Sequence, residues 1–320
     1  MIVITGAAGF IGSNLAAELL ERDYRDLVLV DDFSYEEKLA NYSQKEVTEF
    51  VDRNDFENWI DNNYKFIQFI FHLGARTDTA EFDPEVLSKL NTEYSKMVWI
   101  KCCEYGLPLI YASSAATYGL GEMGFSDNVS PEELLPLNPY GVSKNEFDKW
   151  VLKQDEKPFF WAGLKFFNVY GPNEYHKKRM ASVVYHAYNQ IVESGKLKLF
   201  KSHKQGYSDG EQKRDFIYVK DVCDVMLYFM INRSKTGIYN LGTGSAESFN
   251  TLADAVFVAM DIESTIEYVD TPEDIREKYQ YYTCAEMEKL TRAGYDRKFY
   301  SISEGVEDYI KNYLRNGITR

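Results

Sequence analysis

Positive charge is scarce in this chain: 36 lysines and arginines stand against 50 aspartates and glutamates in 320 residues, a formal net charge of −14. Phosphate backbones and anionic headgroups attract basic surfaces, so this balance argues against nucleic acid or membrane as the main partner. A small anion in a local basic pocket stays allowed. Cysteine is sparse too. Cys102, Cys103, Cys223 and Cys284 have no C-x-x-C or zinc-like spacing, and are expected to be reduced core thiols of a cytoplasmic protein. No long apolar run is present: "FIQFIFHLGA" is far too short to span a bilayer. No charged leader-like stretch precedes "MIVITGAAGF", which begins directly in a predicted strand, and a soluble protein is expected.

What the chain does have is apolar bulk. Hydrophobic residues make up 45%, with 25 tyrosines and 20 phenylalanines, enough for one large or two ordinary domains with a sizeable core. Short β-rich runs alternate with amphipathic stretches: "MIVIT", then "SNLAAELLERD", "DLVLVDD", "FIQFIFHLGA", a long helix over 85–104, "PLIYASS", a helix from near Tyr140, and "FFWAGLKFFNVYG". Strands joined by helices at this spacing imply βαβ units. The fold expected is α/β, a Rossmann-type doubly wound parallel sheet with a smaller interleaved C-terminal substrate-binding region. Residues 1–168, with 214–244 returning to them, form the dinucleotide-binding domain; 169–213 and 245–320 form the substrate-binding one. A helix is expected to carry "MASVVYHAYNQIVES".

Gly6, Gly9 and Gly12 form "GAAGFIG" between the first strand and the first helix. Glycines there let backbone approach a pyrophosphate, and the helix start offers it free N–H groups. The second strand ends in Asp31-Asp32, where a carboxylate can accept from ribose hydroxyls and so favours NAD. Lys38 and Arg53 follow, and either could hold a 2′-phosphate instead. Tyr140 and Lys144 of "YGVSK" lie one helical turn apart. An ammonium beside a phenol favours its ionised form and makes it a usable base. Ser113 and Ser114 close a strand at the carboxyl edge of the sheet; Ser114 is favoured as the hydroxyl that assists Tyr140, with Ser113 and Thr117 as alternatives.

The segments "TGAAGFIGSN", "HLGA", "YASSAATYG", "YGVSK", "FFNVYGP", "RDFIYVKDV" and "NLGTG" together resemble the extended short-chain dehydrogenases/reductases that act on nucleotide-sugars. The match spans nearly the whole chain. "FNVYGPNEYHKKRMASVVYH", "AESF" and "YQYYTCAEMEKLTRAGYD" are similar, more narrowly, to the ADP-L-glycero-D-manno-heptose 6-epimerase family. That resemblance implies inversion at C6 of an ADP-heptose by transient oxidation and re-reduction, serving lipopolysaccharide core synthesis. It implies a retained nicotinamide cofactor, NADP. Where the family carries Asn after the acidic residue this chain has Asp32, whose carboxylate would repel a 2′-phosphate, so NAD stays open. A homo-oligomer is implied, with a pentamer as candidate.

The resemblance also assigns residues. Tyr140 serves one face of the reacting carbon, and Lys177 matches the acid/base of the other. Arg179 and His186, seven apart and so close to one helical face, line the ADP-sugar, and Arg214 clamps its diphosphate. Phe10 and Ile11 meet the cofactor diphosphate, and Leu73, Gly74, Ala75, Arg76 and Thr77 the cofactor beyond the fourth strand. Asn91 and Val169 match cofactor positions, and Asn168 a substrate position. Phe200, Lys201, Ser202, His203 and Tyr279 match substrate-contacting positions. Dehydratases of this fold carry Asp-Glu just after the catalytic-strand hydroxyl; Ala115-Ala116 stands here instead, so elimination is not supported. A UDP-sugar 4-epimerase would not explain the basic cluster at 176–179, and a non-catalytic dinucleotide sensor would not need Ser114, Tyr140 and Lys144 together.

Overall fold

A computed structural model describes every residue except 79, 80, 82, 234, 277 and 278. The strands are β1 (Ile2–Thr5), β2 (Leu27–Asp31), β3 (Glu49–Asp52), β4 (Phe69–His72), β5 (Leu109–Ser114), β6 (Trp161–Phe166), β7 (Asn168–Tyr170), β8 (Leu197–Phe200), β9 (Lys213–Arg214), β10 (Phe216–Tyr218), β11 (Gly237–Leu241), β12 (Glu247–Ser248) and β13 (Ile266–Val269). Seven of them form one sheet in the order β11-β6-β5-β4-β1-β2-β3, every neighbouring pair parallel. The strand order reverses between β1 and β4. That switch point opens a crevice at the carboxyl edge of the sheet, where open α/β folds bind ligands.

The central strands are apolar along their whole length because helices cover both faces. Alternate residues divide two cores. Ile2, Ile4, Leu29 and Phe71 pack with Leu15 and Leu19 of the helix Phe10–Glu21 and Val222 and Met226 of the helix Val219–Asn232. Val3, Val28, Val30 and Ile70 pack the other way, against Trp99 of the helix Tyr94–Glu104 and Phe147 of the helix Pro139–Lys153. Each fully buried Val, Leu, Ile or Phe contributes about 1.5–3 kcal/mol. The expected long helix at 85–104 is continuous but carries a π-helical stretch, Ser88–Glu93, around Asn91.

After β6 the chain leaves the main sheet for three two-stranded pairings: β7 with β10, β8 with β13, and β9 with β12. It rejoins the sheet as β11 on the outer side of β6. The helix expected over "MASVVYHAYNQIVES" starts only at Val183, with Ser182 as its cap. Residues Tyr175–Met180 form a separate short helical segment broken at Lys178, whose φ is 51°. Arg179 and His186 therefore do not share a helical face, and their direct contact is His186 Nε2 against the Arg179 carbonyl at 3.3 Å.

His72, at the end of β4, is 2% exposed and holds the switch point together. Ser95 donates its proton to the Asn91 carbonyl, so His72 Nε2–H donates to Ser95 Oγ at 2.8 Å. Nδ1 is then the acceptor for Thr5 Oγ1 at 2.7 Å, and Thr5 in turn accepts from Gly74 N–H. Each proton is used once, and the ring is neutral. Burial, with the Lys144 charge adding to it, pushes its pKa down to about 3. The unfolded chain takes up a proton near the ordinary 6.5 and the folded one does not, so this group lowers stability progressively as pH falls from 6.5 toward about 3. In His72→Gln the loss of stability between about pH 6 and about pH 4 should be shallower by about 1 kcal/mol per pH unit, read from urea midpoints; equal slopes would show that His72 titrates normally in the fold.

Candidate active site

The glycine-rich turn is shaped by what cannot fit in it. Gly6 has φ +70°, and a Cβ there would lie 2.6 Å from the Gly74 nitrogen; one on Gly12 would lie 2.3 Å from the Gly6 carbonyl oxygen. The loop is thus pressed against the segment following β4. Gly9 caps the helix Phe10–Glu21 without any side chain on its first N–H groups, leaving donors and the positive end of the helix dipole for an anion. Asp31 Oδ2 accepts from the Ala8 N–H at 2.9 Å, which ties the end of β2 to the same turn. Each carboxylate after β2 has a cation: Lys38 lies 3.0 Å from Asp31, and Arg53 lies 3.0 Å from Asp32. Hydrogen bonds from Ser34, with Arg53 and Lys38 nearby, hold Asp32 below the usual carboxylate range.

A cleft of about 1030 Å³ runs from this turn across the carboxyl edge of the sheet. Phe10, Ile11, Leu73, Ala75 and Thr77 line one side; Ser114, Tyr140 and Lys144 form its floor. Asn168, Val169, Lys177, Arg179, Arg214 and Tyr279 close the other side. Residues 2–242 match the sequence profile of the NAD dependent epimerase/dehydratase family.

The chain belongs to that family.

Among the proteins similar to this epimerase/dehydratase, the Fusobacterium nucleatum ADP-L-glycero-D-manno-heptose-6-epimerase is 47% identical over 98% of both chains. The Nitratidesulfovibrio vulgaris protein of the same name is 44% identical over 98% of both. The crystal structure of the Helicobacter pylori ADP-L-glycero-D-manno-heptose-6-epimerase superposes with a TM-score of 0.81 at 28% identity, covering 97% of this chain and 95% of that one. The glycine-rich turn suits a nicotinamide dinucleotide, since the helix that follows it begins without a capping side chain and its first N–H groups would meet the pyrophosphate.

Tyr140 and Lys144 share the helix Pro139–Lys153, which Asn138 caps through the Gly141 N–H. Burial raises the Tyr140 pKa above the ordinary phenol value, with the neighbouring Ser114 hydroxyl opposing. The Lys144 ammonium donates to the Ala112 carbonyl at 3.0 Å, and burial pushes its pKa down to about 8, with Asp148 opposing. The three candidate hydroxyls separate by their partners. Ser113 Oγ donates to Asp148 at 2.7 Å, and Thr117 Oγ1 donates to the Ser114 carbonyl while accepting from Lys165. Ser114 Oγ accepts from the Ala116 N–H at 3.1 Å, keeps its own proton free, and is the hydroxyl that acts on the Tyr140 phenol.

In the basic cluster, Lys177 sits with its ammonium 5.3 Å above the Phe10 ring, its pKa lowered by burial and raised in part by Glu174. Arg214, 7% exposed, stacks on Tyr279 and Phe249. Among the described residues no carboxylate lies within 4.0 Å of Lys144, Lys177 or Arg214, whereas Lys178 pairs with Glu37 and Arg179 with Asp78. Desolvated cations without counter-charges are costly, and three of them facing one cleft make it an anion site.

Several expected contacts fall elsewhere. Phe200, Lys201, Ser202 and His203 do not line the cleft: Phe200 packs edge-on against Tyr279, Lys201 pairs with Asp270, and the Ser202 and His203 N–H groups are held by Asp209 and Tyr281. His186 also lies outside the lining. Asn91 is fully buried, accepting from the Arg76 N–H and donating to the Arg76 carbonyl and Ser143, so it shapes the 74–77 segment from behind. The Arg76 side chain turns toward Glu81. Glu174 went unnoticed in the sequence. Fully buried, its carboxylate accepts from Ser182 N–H and Oγ–H and from the Gly171 N–H, and fixes the basic segment at both ends. Among the described residues no helix is long and apolar enough to cross a membrane, and no cluster of three or more His, Cys, Asp or Glu could hold a metal ion.

Beneath the floor, Lys165 and Asp148 form a buried ion pair at 2.7 Å, 3% and 0% exposed, which also holds Ser113 and Tyr111. Removing either partner leaves an uncompensated buried charge. Lys165→Met and Asp148→Asn should each cost about 3–5 kcal/mol in urea unfolding, and the double variant less than the sum; additive costs would mean that the pair is not a coupled unit.

Proposed function

We propose that this chain catalyses the interconversion of ADP-D-glycero-D-manno-heptose and ADP-L-glycero-D-manno-heptose by inversion at C6 through a transient 6-keto sugar. The observation that carries the reading is that two proton-exchanging groups from separate elements, Tyr140 and Lys177, line the same cleft. Inversion through a ketone needs proton transfer on each face of the carbon. A bound nicotinamide supplies a hydride acceptor and donor, with no net redox change. Ser114 orients the Tyr140 hydroxyl, and Lys144, charged below about pH 8, adds positive potential to the floor. Burial lowers the Lys177 pKa, which makes its amine readier to give up a proton than an exposed lysine. Arg214 holds the substrate diphosphate in this reading, and Asn168, Arg179 and Tyr279, which line the same cleft, contact the sugar nucleotide.

NADP is the dinucleotide we propose, with Lys38 and Arg53 offsetting Asp31 and Asp32 and able to turn to a 2′-phosphate. Residues 169–213 and 245–320 are assigned to sugar-nucleotide binding and the rest to the dinucleotide. We place the enzyme in the cytoplasm, as a homo-oligomer, in lipopolysaccharide core precursor synthesis.

The test is incubation of the purified protein with ADP-D-glycero-D-manno-heptose without added cofactor, following C6 configuration by NMR. A mixture of both epimers with no net nicotinamide reduction is expected. An unchanged sugar after NAD and NADP have both been supplied would overturn the heptose assignment, as would preferential turnover of UDP-glucose. Tyr140→Phe and Lys177→Met should each slow turnover by about 10²–10⁴-fold, with the dinucleotide still bound; a Lys177→Met enzyme of unaltered kcat would remove Lys177 from the chemistry.

A further inference from the structure

Residues 318–320 lie outside the cleft lining, yet they bond three segments that pack around the glycine-rich turn. The Arg320 side chain is 6% exposed and paired with Glu18 and Glu21 on the helix Phe10–Glu21. Its backbone makes a two-way contact with Asn173: the Arg320 N–H donates to Asn173 Oδ1 at 2.8 Å, and Asn173 Nδ2 donates back to the Arg320 carbonyl at 3.1 Å. Lys45 also donates to that carbonyl, Thr319 donates to the Ala40 carbonyl at 2.9 Å, and Tyr175 donates to the Ile318 carbonyl at 2.9 Å.

Asn173 is fully buried with φ 73°, a left-handed conformation that surrounding bonds must hold for a residue other than glycine. Besides Arg320, it donates to Ser13 Oγ at 2.9 Å. Its carbonyl accepts from Asn41 at 3.1 Å, and Asn41 donates at 3.0 Å to the carbonyl of Ala8 in the glycine-rich turn. The next residue, Glu174, accepts the Lys177 N–H at 2.9 Å, and the Lys177 ammonium lies over Phe10, the first residue of the pyrophosphate helix. The path from Arg320 to Lys177 is thus unbroken: Arg320, Asn173, Glu174, Lys177.

We propose that Arg320 is a positioning residue that locks the 172–177 loop onto the glycine-rich turn, setting both the residence time of the dinucleotide and the stance of Lys177. Without the guanidinium pairs to Glu18 and Glu21, residues 318–320 lose their hold on the helix. Asn173 then loses the partner of its Oδ1 and one of the two partners of its Nδ2, leaving Ser13 and Asn41 to hold it, and the loop is less firmly fixed to the turn. The statement about Lys177 rests on the role given to that residue above; the locking of the loop does not.

Two measurements test it on the full chain: amide hydrogen exchange across 172–180, and the release rate of NADH and NADPH from preloaded protein, followed by nucleotide fluorescence. Arg320→Gln should speed both by about tenfold, and Arg320→Lys should restore much of the difference. Arg292→Gln, which breaks an exposed ion pair with Glu288 on another helix, should change neither. If Arg320→Gln fails to fold, Thr319→Val and Tyr175→Phe each remove one bond to the same segment and should move both readouts in the same direction. A folded Arg320→Gln protein with lower thermal stability but unchanged exchange and release would make Arg320 an ordinary stabilising residue and overturn the proposal. Neither readout involves the sugar, so a failed heptose assay leaves this outcome legible.

Discussion

The site depends on the absence of one side chain. Gly6 and Gly74 come from turns after adjacent strands; a Cβ on Gly6 would lie 2.6 Å from the Gly74 nitrogen, whereas one on Gly74 would be tight, 3.2 Å from Thr5 Oγ1. Because β1 and β4 are the strands where the sheet order reverses, this close approach decides whether the crevice has a floor for a dinucleotide or a plug of side chains. Other features follow from it. The Thr5–His72–Ser95–Asn91 hydrogen-bond relay keeps β4 and the following segment in place, and the Asp31 carboxylate holds the turn from the β2 side. A substitution at Gly6 would meet backbone, which cannot swing aside as the end of a flexible side chain can.

Charges in the interior divide by partnership. Lys165 is buried within the core, but its pairing with Asp148 makes it a strut under β5. Lys144, Lys177 and Arg214 face the cleft without such partners, in a chain with many more carboxylates than cations. If these cations served only stability, direct ion pairs with some of the abundant acids would be cheaper than the longer-range help that Asp148 gives Lys144 and Glu174 gives Lys177. Their isolation is understandable when the counter-charge arrives with a ligand, and a diphosphate brings it. Arg179 and Lys178 differ: they are exposed, pair with Asp78 and Glu37, and bridge the basic segment to the two flanks of the cleft.

The parallel sheet, its helices and the glycine turn were legible in the sequence because they depend on local pattern: alternation within strands, and glycines at a strand-to-helix junction. Tyr140 and Lys144 were legible for the same reason, one helical turn being a local distance. The expectation that Arg179 and His186 lie near one helical face fails, since nothing in "NEYHKKRMASVV" announces the left-handed backbone at Lys178 or the Glu174 carboxylate that accepts from Ser182. Ser114 is favoured over Ser113 and Thr117 from one strand; that Asp148 on a helix engages Ser113 and Lys165 on the next strand engages Thr117 is tertiary information. Asn91 was noticed, but its bonds to the Arg76 backbone, fifteen residues away in sequence, are tertiary. The displacement of Phe200, Lys201, Ser202 and His203 from the cleft has the same origin, because β8 pairs with β13, 69 positions on in register.

Within the proposed reaction the two faces of the reacting carbon are served by unlike groups. Burial raises the Tyr140 phenol and lowers the Lys177 amine. Both shifts favour the neutral form, which is what desolvation does to an acid that ionises to an anion and to a base that ionises to a cation. Tyr140 begins as a held proton and Lys177 as a base brought nearer to neutrality. A phenol that must release its proton needs positive potential at that moment, and Lys144, fixed on the Ala112 carbonyl one helical turn away, is placed to give it. An amine that must take up a proton needs a nearby anion, and Glu174, three residues before Lys177, is held by Ser182 and Gly171 where its charge raises the Lys177 pKa against burial. Each proton-exchanging group thus has its own charged companion. The loop that carries the second pair is also the part of the site with the least help from the sheet, so its accuracy rests on side-chain hydrogen bonds.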